Sequence, residues 1–159
     1  MLTADIENNI TTLIENRPAD PGLWDGDKLI CSPENNERIT EIRKTGLENI
    51  SDADVVFLFT SAADTVGTDQ TFHYFLPEFF RLIFFKREFG YSTDVADIFG
   101  RLDGHNFQNW PKASQRVALK LCQGGAELEQ EEHRDFYAED DEDIAGLIGQ
   151  IKSRLEKLG

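Results

Sequence analysis

The residues of this chain that could hold a metal, carry a proton or attack a substrate are few and far apart. Its histidines are His73, His105 and His133, and its cysteines are Cys31 and Cys122. A bundle metal site needs Glu-x-x-His, because that spacing puts both ligands on one helix face. The residues three places before these histidines are Gln70, Leu102 and Gln130, so none has the partner. Asp141-Glu142-Asp143 has the opening carboxylates of a calcium loop, but Ala145 lacks a ligand oxygen and Lys152 stands twelfth where a Glu is needed. The cysteines show no CxxC spacing and read as two reduced, buried thiols. No P-loop, dinucleotide glycine pattern, GxSxG elbow or HExxH helix occurs. The sequence therefore assigns no catalytic residue, no metal ligand and no cofactor.

Two groupings remain for an enzyme of unassigned type. One is His73, Tyr74 and Glu78, and the other is Asp103, His105 and Asn106. Either predicts a concave site holding titratable groups with shifted pKa values. A cysteine nucleophile would further need an activating environment around its thiol.

The strongest signal is charge. The chain carries 30 acidic and 16 basic residues, a net charge of -14. Residues 1-60 hold 12 acids and 5 bases, residues 61-120 hold 7 of each, and residues 121-159 hold 11 and 4. From Glu127 to Asp143 run ten acids against Arg134 alone. Like charges at that density repel one another, and a cationic partner relieves the cost. The expected protein-binding residues are Glu127, Glu129, Glu131, Glu132, Asp135, Phe136, Tyr137, Glu139 and Asp140. Here carboxylates would steer the partner and the aromatics would anchor it. The bland reading of the same run is a solvated helix face and a capped helix start. An excess of acid repels phosphate backbones and anionic membrane surfaces, so direct contact with nucleic acid or membrane is not expected. The expected partner is a basic protein, most concretely a cognate toxin, which makes the chain a non-catalytic immunity protein.

The elements that must position these residues read as helical. Ile6, Ile10, Leu13 and Ile14 share a helix face, and Pro18 to Gly22 supplies turn chemistry. Ser32-Pro33 reads as a cap and first residue, Ile39 and Ile42 as a buried stripe, and Gly46 as a stop. Val55 to Phe59 (VVFLF) fits either a short strand or part of a helix, since periodicity cannot separate the two over so few residues. Ser92 can cap a helix carrying Val95, Ile98, Phe99 and Leu102. Residues 103-109 read as a loop. Trp110-Pro111 opens a further helix through Val117 and Leu121, which Gly124-Gly125 is expected to end. The last helix, 141-158, has an apolar stripe (Ile144, Leu147, Ile148, Ile151, Leu155, Leu158), acids in its first turn and Lys157 near its end, the order the helix dipole favours. That stripe leaves a homodimer open.

The segment TFHYFLPEFFRLIFFKREFGY (71-91) holds nine of the 17 aromatic residues. Its most apolar part, 72-85, contains His73, Glu78 and Arg81, and it falls short of the roughly 20 mostly uncharged residues a spanning helix needs. Pro77 suits a first helical turn, so the helix is expected to start at Leu76 or Pro77 and run to Phe89, with Gly90 as its stop. Apolar residues on all sides mark it as the core. The expected fold is mainly α, a single domain over 1-159 with about six helices. The N-terminus lacks the basic flank and apolar run of a secretory signal, so the expected compartment is the cytoplasm.

FHYFLPEFF together with FQNWPKASQRVALKL resembles an uncharacterised family of small bacterial domains with a Phe-x-x-Tyr/Phe-Leu-Pro segment followed by a helix ending in Gln-Arg and an aliphatic run. Phe72, Phe75, Leu76 and Pro77 match the first motif, and Phe107, Gln115, Arg116 and Val117 the second. The likeness covers residues 20-123 and departs from the pattern in the acidic tail, 127-143. It implies a helical domain and supplies no catalytic residue.

Overall fold

A computed structural model describes residues 1-23, 33-46, 49-61, 68-86, 95-133 and 140-159. Seven α-helices and two 3-10 turns account for most of them, and no strand occurs among the described residues. The helices are α1 (Thr3–Glu15), α2 (Pro33–Thr45), α3 (Asp52–Ser61), α4 (Asp69–Phe85), α5 (Val95–Arg101), α6 (Lys112–His133) and α7 (Asp140–Leu158). The 3-10 turns, Asp103–His105 and Phe107–Asn109, occupy the stretch read as a loop.

The aromatic segment forms the centre, but its helix begins earlier than expected. Pro77 lies inside α4, which starts at Asp69, where the Thr71 hydroxyl accepts a hydrogen bond from the Thr68 N–H at 3.0 Å. An interior proline removes one ladder bond, here to the His73 carbonyl, and costs about 3 kcal/mol. Burial offsets it. Phe72, Phe75, Phe79 and Phe80 are all fully buried on this helix, and each contributes about 1.5–3 kcal/mol by leaving water. Phe59 of α3 meets Phe79 edge-on with ring centroids 4.9 Å apart, which fastens α3 across α4. The helix also ends earlier than the expected Phe89, at Phe85 with Lys86 as its C-cap, while Phe89, Gly90, Ser32 and Ser92 lie outside the described residues.

Val55 to Phe59 resolves as helix. Leu58 and Phe59 are fully buried, and the run is apolar because α3 is covered on most sides, not because it is a strand. Arg38 of α2 holds the start of α3 by donating to Asp54 and to the Ala53 carbonyl, each at 3.0 Å, while its guanidinium lies 4.4 Å from the Phe57 ring centroid.

The second departure concerns Gly124-Gly125. These residues lie within α6, which continues to His133. Gly125 is there for close approach, because a Cβ on it would fall 2.5 Å from a Val95 methyl carbon of α5. The pair is a packing notch and not a stop. Helix α7 packs along α6, and its stripe (Ile144, Ile148, Ile151) is buried there within the same chain.

Candidate functional site

The acidic segment divides into a described and an undescribed part. Glu127, Glu131 and Glu132 are exposed on the last turns of α6, and Glu129 is half-buried. Asp135, Phe136, Tyr137 and Glu139 lie outside the described residues, and Asp140 is the first residue of α7. Glu127 accepts from Gln123 at 2.9 Å, one turn earlier. A groove of about 530 Å³ opens beside these carboxylates, with Glu127 and Glu131 on its wall and Ile6, Phe84, Phe85 and Met1 supplying apolar surface. Met1 (52% exposed) and Phe85 (40%) are two of the three large apolar side chains left exposed among the described residues.

The fold separates Glu78 from His73 and Asp103 from His105, and it keeps Asn106 beside His105. His73 lies in a shallow depression with His105 and Trp110, while Glu78, five residues further along α4, lines a different cleft. Asp103 faces away from His105 and pairs with Arg154 at 2.8 Å. The His73 ring stacks on Trp110 with centroids 3.9 Å apart, and the His105 ring stacks on Phe72 at 4.3 Å. His105 Nδ1 is 3.3 Å from Asp69, and the His105 carbonyl accepts from the Trp110 indole N–H at 3.1 Å. Gln115 in turn donates to the Trp110 carbonyl at 2.8 Å. The His73 Nε2 is buried with no hydrogen-bond partner among the described residues, and burial pushes its pKa down to about 4. It is a neutral imidazole serving as an aromatic plate.

Cys122 is a free, fully buried thiol whose pKa burial raises well above the usual range. An attacking thiolate is therefore disfavoured there. Cys31 lies outside the described residues. His133 ends α6, and no group of three or more His, Cys, Asp or Glu able to hold a metal occurs among the described residues.

A cleft of about 870 Å³ takes in Tyr74 and Glu78 of the first grouping without His73. It runs between the end of α1, the turn after α2, the start of α3 and one face of α4. Tyr74, Glu78, Arg81, Leu82 and Phe85 recur along α4 at spacings of three and four, so the sequence did contain this mixed stripe. The density of phenylalanine around it hid the polar members. Arg17 lies just past the end of α1, with its guanidinium 4.1 Å from the Tyr74 ring centroid and 3.6 Å from Glu78 Oε1. Glu78 Oε2 is buried with no hydrogen-bond partner among the described residues, and burial raises the pKa of this carboxyl against a backbone hydrogen bond and the nearby Arg17 and Arg81.

No family model, curated protein or solved structure is significantly similar to the chain. Function is therefore argued from the surface itself. No helix among the described residues is long and apolar enough to cross a membrane.

Proposed function

We propose that the chain is a non-catalytic binding protein that captures a basic protein, in its most concrete form an immunity protein neutralising a cationic bacterial toxin. The observation that carries this reading is the groove at the end of α6, which exposed Met1 and Phe85 line together with Glu127 and Glu131. Protein interfaces take their affinity from a few apolar anchors that leave water, and their association rate from the surrounding charge. Phe85 and Met1 supply anchors on the described surface, the role expected of Phe136 and Tyr137. The net charge of -14 supplies the long-range field. The dispersal of His73, Glu78 and Cys122 over separate environments supports the non-catalytic reading.

The test begins with capture of partners from lysate of the native host at about 50 and about 200 mM salt, since screening weakens charge-led encounters over that range. The partner, once purified, is then mixed with three chains: wild type, Glu127→Gln/Glu131→Gln, and Phe85→Ser. The acidic double variant should lower the association rate and its salt dependence, and Phe85→Ser should speed dissociation by about tenfold or more. A captured protein that is not basic, or one indifferent to both variants, would sink the proposal.

A further inference from the structure

The cleft on α4 has the composition of a binding site for a small molecule, and it shares only Phe85 with the acidic groove. Its volume of about 870 Å³ lies within the range of ordinary ligand sites. Its charge runs against that of the chain. Arg17, Arg81 and Lys86 line it against two carboxylates, Glu78 and Asp52, in a protein of net charge -14. Lys86 is paired with Asp52 at 3.6 Å on the rim. The two arginines are not used up. Arg81 is exposed and makes no ion pair or hydrogen bond among the described residues. Arg17 is held by the Tyr74 ring and by an ion pair to Glu78 at 3.6 Å, longer than a hydrogen bond, so among the described residues its guanidinium N–H donors make no hydrogen bond. Two guanidinium groups with unused donors beside an apolar wall (Ile14, Val55, Leu82, Phe85) call for an anion with an apolar body.

We propose that this cleft binds a small amphipathic monocarboxylate, a fatty or aryl acid, with its carboxylate between Arg17 and Arg81 and its apolar body along Ile14, Val55, Leu82 and Phe85. Glu78 is the apparent obstacle, since a second carboxylate would repel the ligand. Burial raises its pKa and a bound anion would raise it further, both toward the neutral form that does not repel the ligand. Asp52 stays neutralised by Lys86 on the rim.

The experiment titrates the full chain calorimetrically with decanoate and with 2-naphthoate, taking decanol and decyltrimethylammonium as head-group controls. At least one acid should bind one to one, decanol should bind about tenfold more weakly or worse, and the cationic amphiphile should not bind. Arg81→Gln, an exposed change that leaves the core intact, should weaken the acid by about tenfold, the worth of one charge-assisted contact. Glu78→Gln, which mimics the protonated acid, should bind at least as tightly as the wild type. Backbone amide shifts should centre on Val55 and Leu82. Failure of both acids to bind overturns the proposal. So does equal binding of decanol, an unchanged Arg81→Gln, loss of binding in a folded Glu78→Gln, or shifts centred on Leu128 and Glu131 of the other groove.

Discussion

Replacing Gly125 by Ala tests whether the glycine pair in α6 is a packing notch. In an exposed helix interior Gly→Ala stabilises by about 0.8–1 kcal/mol. At Gly125 the new methyl carbon would fall 2.5 Å from a Val95 methyl carbon and 3.5 Å from one of Ile83. Val95 is β-branched and fully buried, so it yields little room, and overpacking of this kind costs about 1–3 kcal/mol. The net is a loss of about 0–2 kcal/mol, or a fall in Tm of at most roughly 8 °C for a chain of this size. Gly146 and Gly149 serve as internal controls, because nothing lies within 4 Å of a Cβ at either position. Their alanine variants should gain close to the full helix-propensity increment. Urea unfolding of the three variants, with equal m-values, reads the differences directly. If Gly125→Ala were as stable as Gly146→Ala, α5 would not be seated against α6 as described, and the account of the pair as a notch would fail.

Other outcomes follow from the buried groups. His73 has a folded pKa of about 4 against 6.5, so the unfolded chain binds more protons between those values, and stability is lost as pH falls through the window, by on the order of 3 kcal/mol at completion. His73→Phe, which retains a ring against Trp110, should remove that slope; parallel Tm-against-pH curves for the two chains from pH 7 to 4 would contradict the burial argument. Glu78 has the opposite sign, because its folded pKa is raised: its contribution is full below about pH 4.5 and declines as pH rises. Glu78→Gln should therefore be relatively more stable at pH 7 than at pH 4, as read by urea midpoints at the two pH values. In a Cys31→Ser background, Cys122 should react with a thiol reagent only on the timescale of unfolding, and fast labelling of the native chain would refute its burial. Arg38→Lys should lose most of what Arg38→Ala loses, about 0.5–1 kcal/mol, because a lysine can neither donate to Asp54 and the Ala53 carbonyl together nor lie flat on Phe57; full rescue by lysine in urea unfolding would show a simple charge effect.

The fold class was legible because its evidence is periodic. The stripes of α1 and α7 and the stop at Gly46, whose φ is +83°, follow from local chemistry. What failed was local chemistry overruled by packing. Pro77 carries a strong start signal and Gly124-Gly125 a strong stop signal, yet the aromatic burial along α4 and the close crossing of α5 over α6 outweigh them. Sequence has no way to register that balance, since the opposing contacts come from elsewhere in the chain. The candidate sites were legible only as inventories. His73 and Glu78 are near in sequence, but five residues along a helix is a turn of about 500°, which puts the two on different faces.

Phe85 shows why the two binding surfaces should be probed together. It is the last residue of α4, it is 40% exposed, and it lines both the cationic cleft and the acidic groove. The cleft therefore presents arginines on one side of this ring, and the groove presents glutamates on the other. A ligand tail drawn along Leu82 toward Phe85 would occupy the ring's cleft side and fix its rotamer, and with it the anchor offered to a protein partner. Coupling requires only that the ring have two positions to which each ligand responds differently. Where both ligands bind, the factor by which the carboxylate changes partner affinity must equal the factor by which the partner changes carboxylate affinity, and Phe85→Ala should bring both factors to one. A coupling that survived Phe85→Ala would have to pass through the helix itself, and independent binding in the wild type would show the ring to be fixed already.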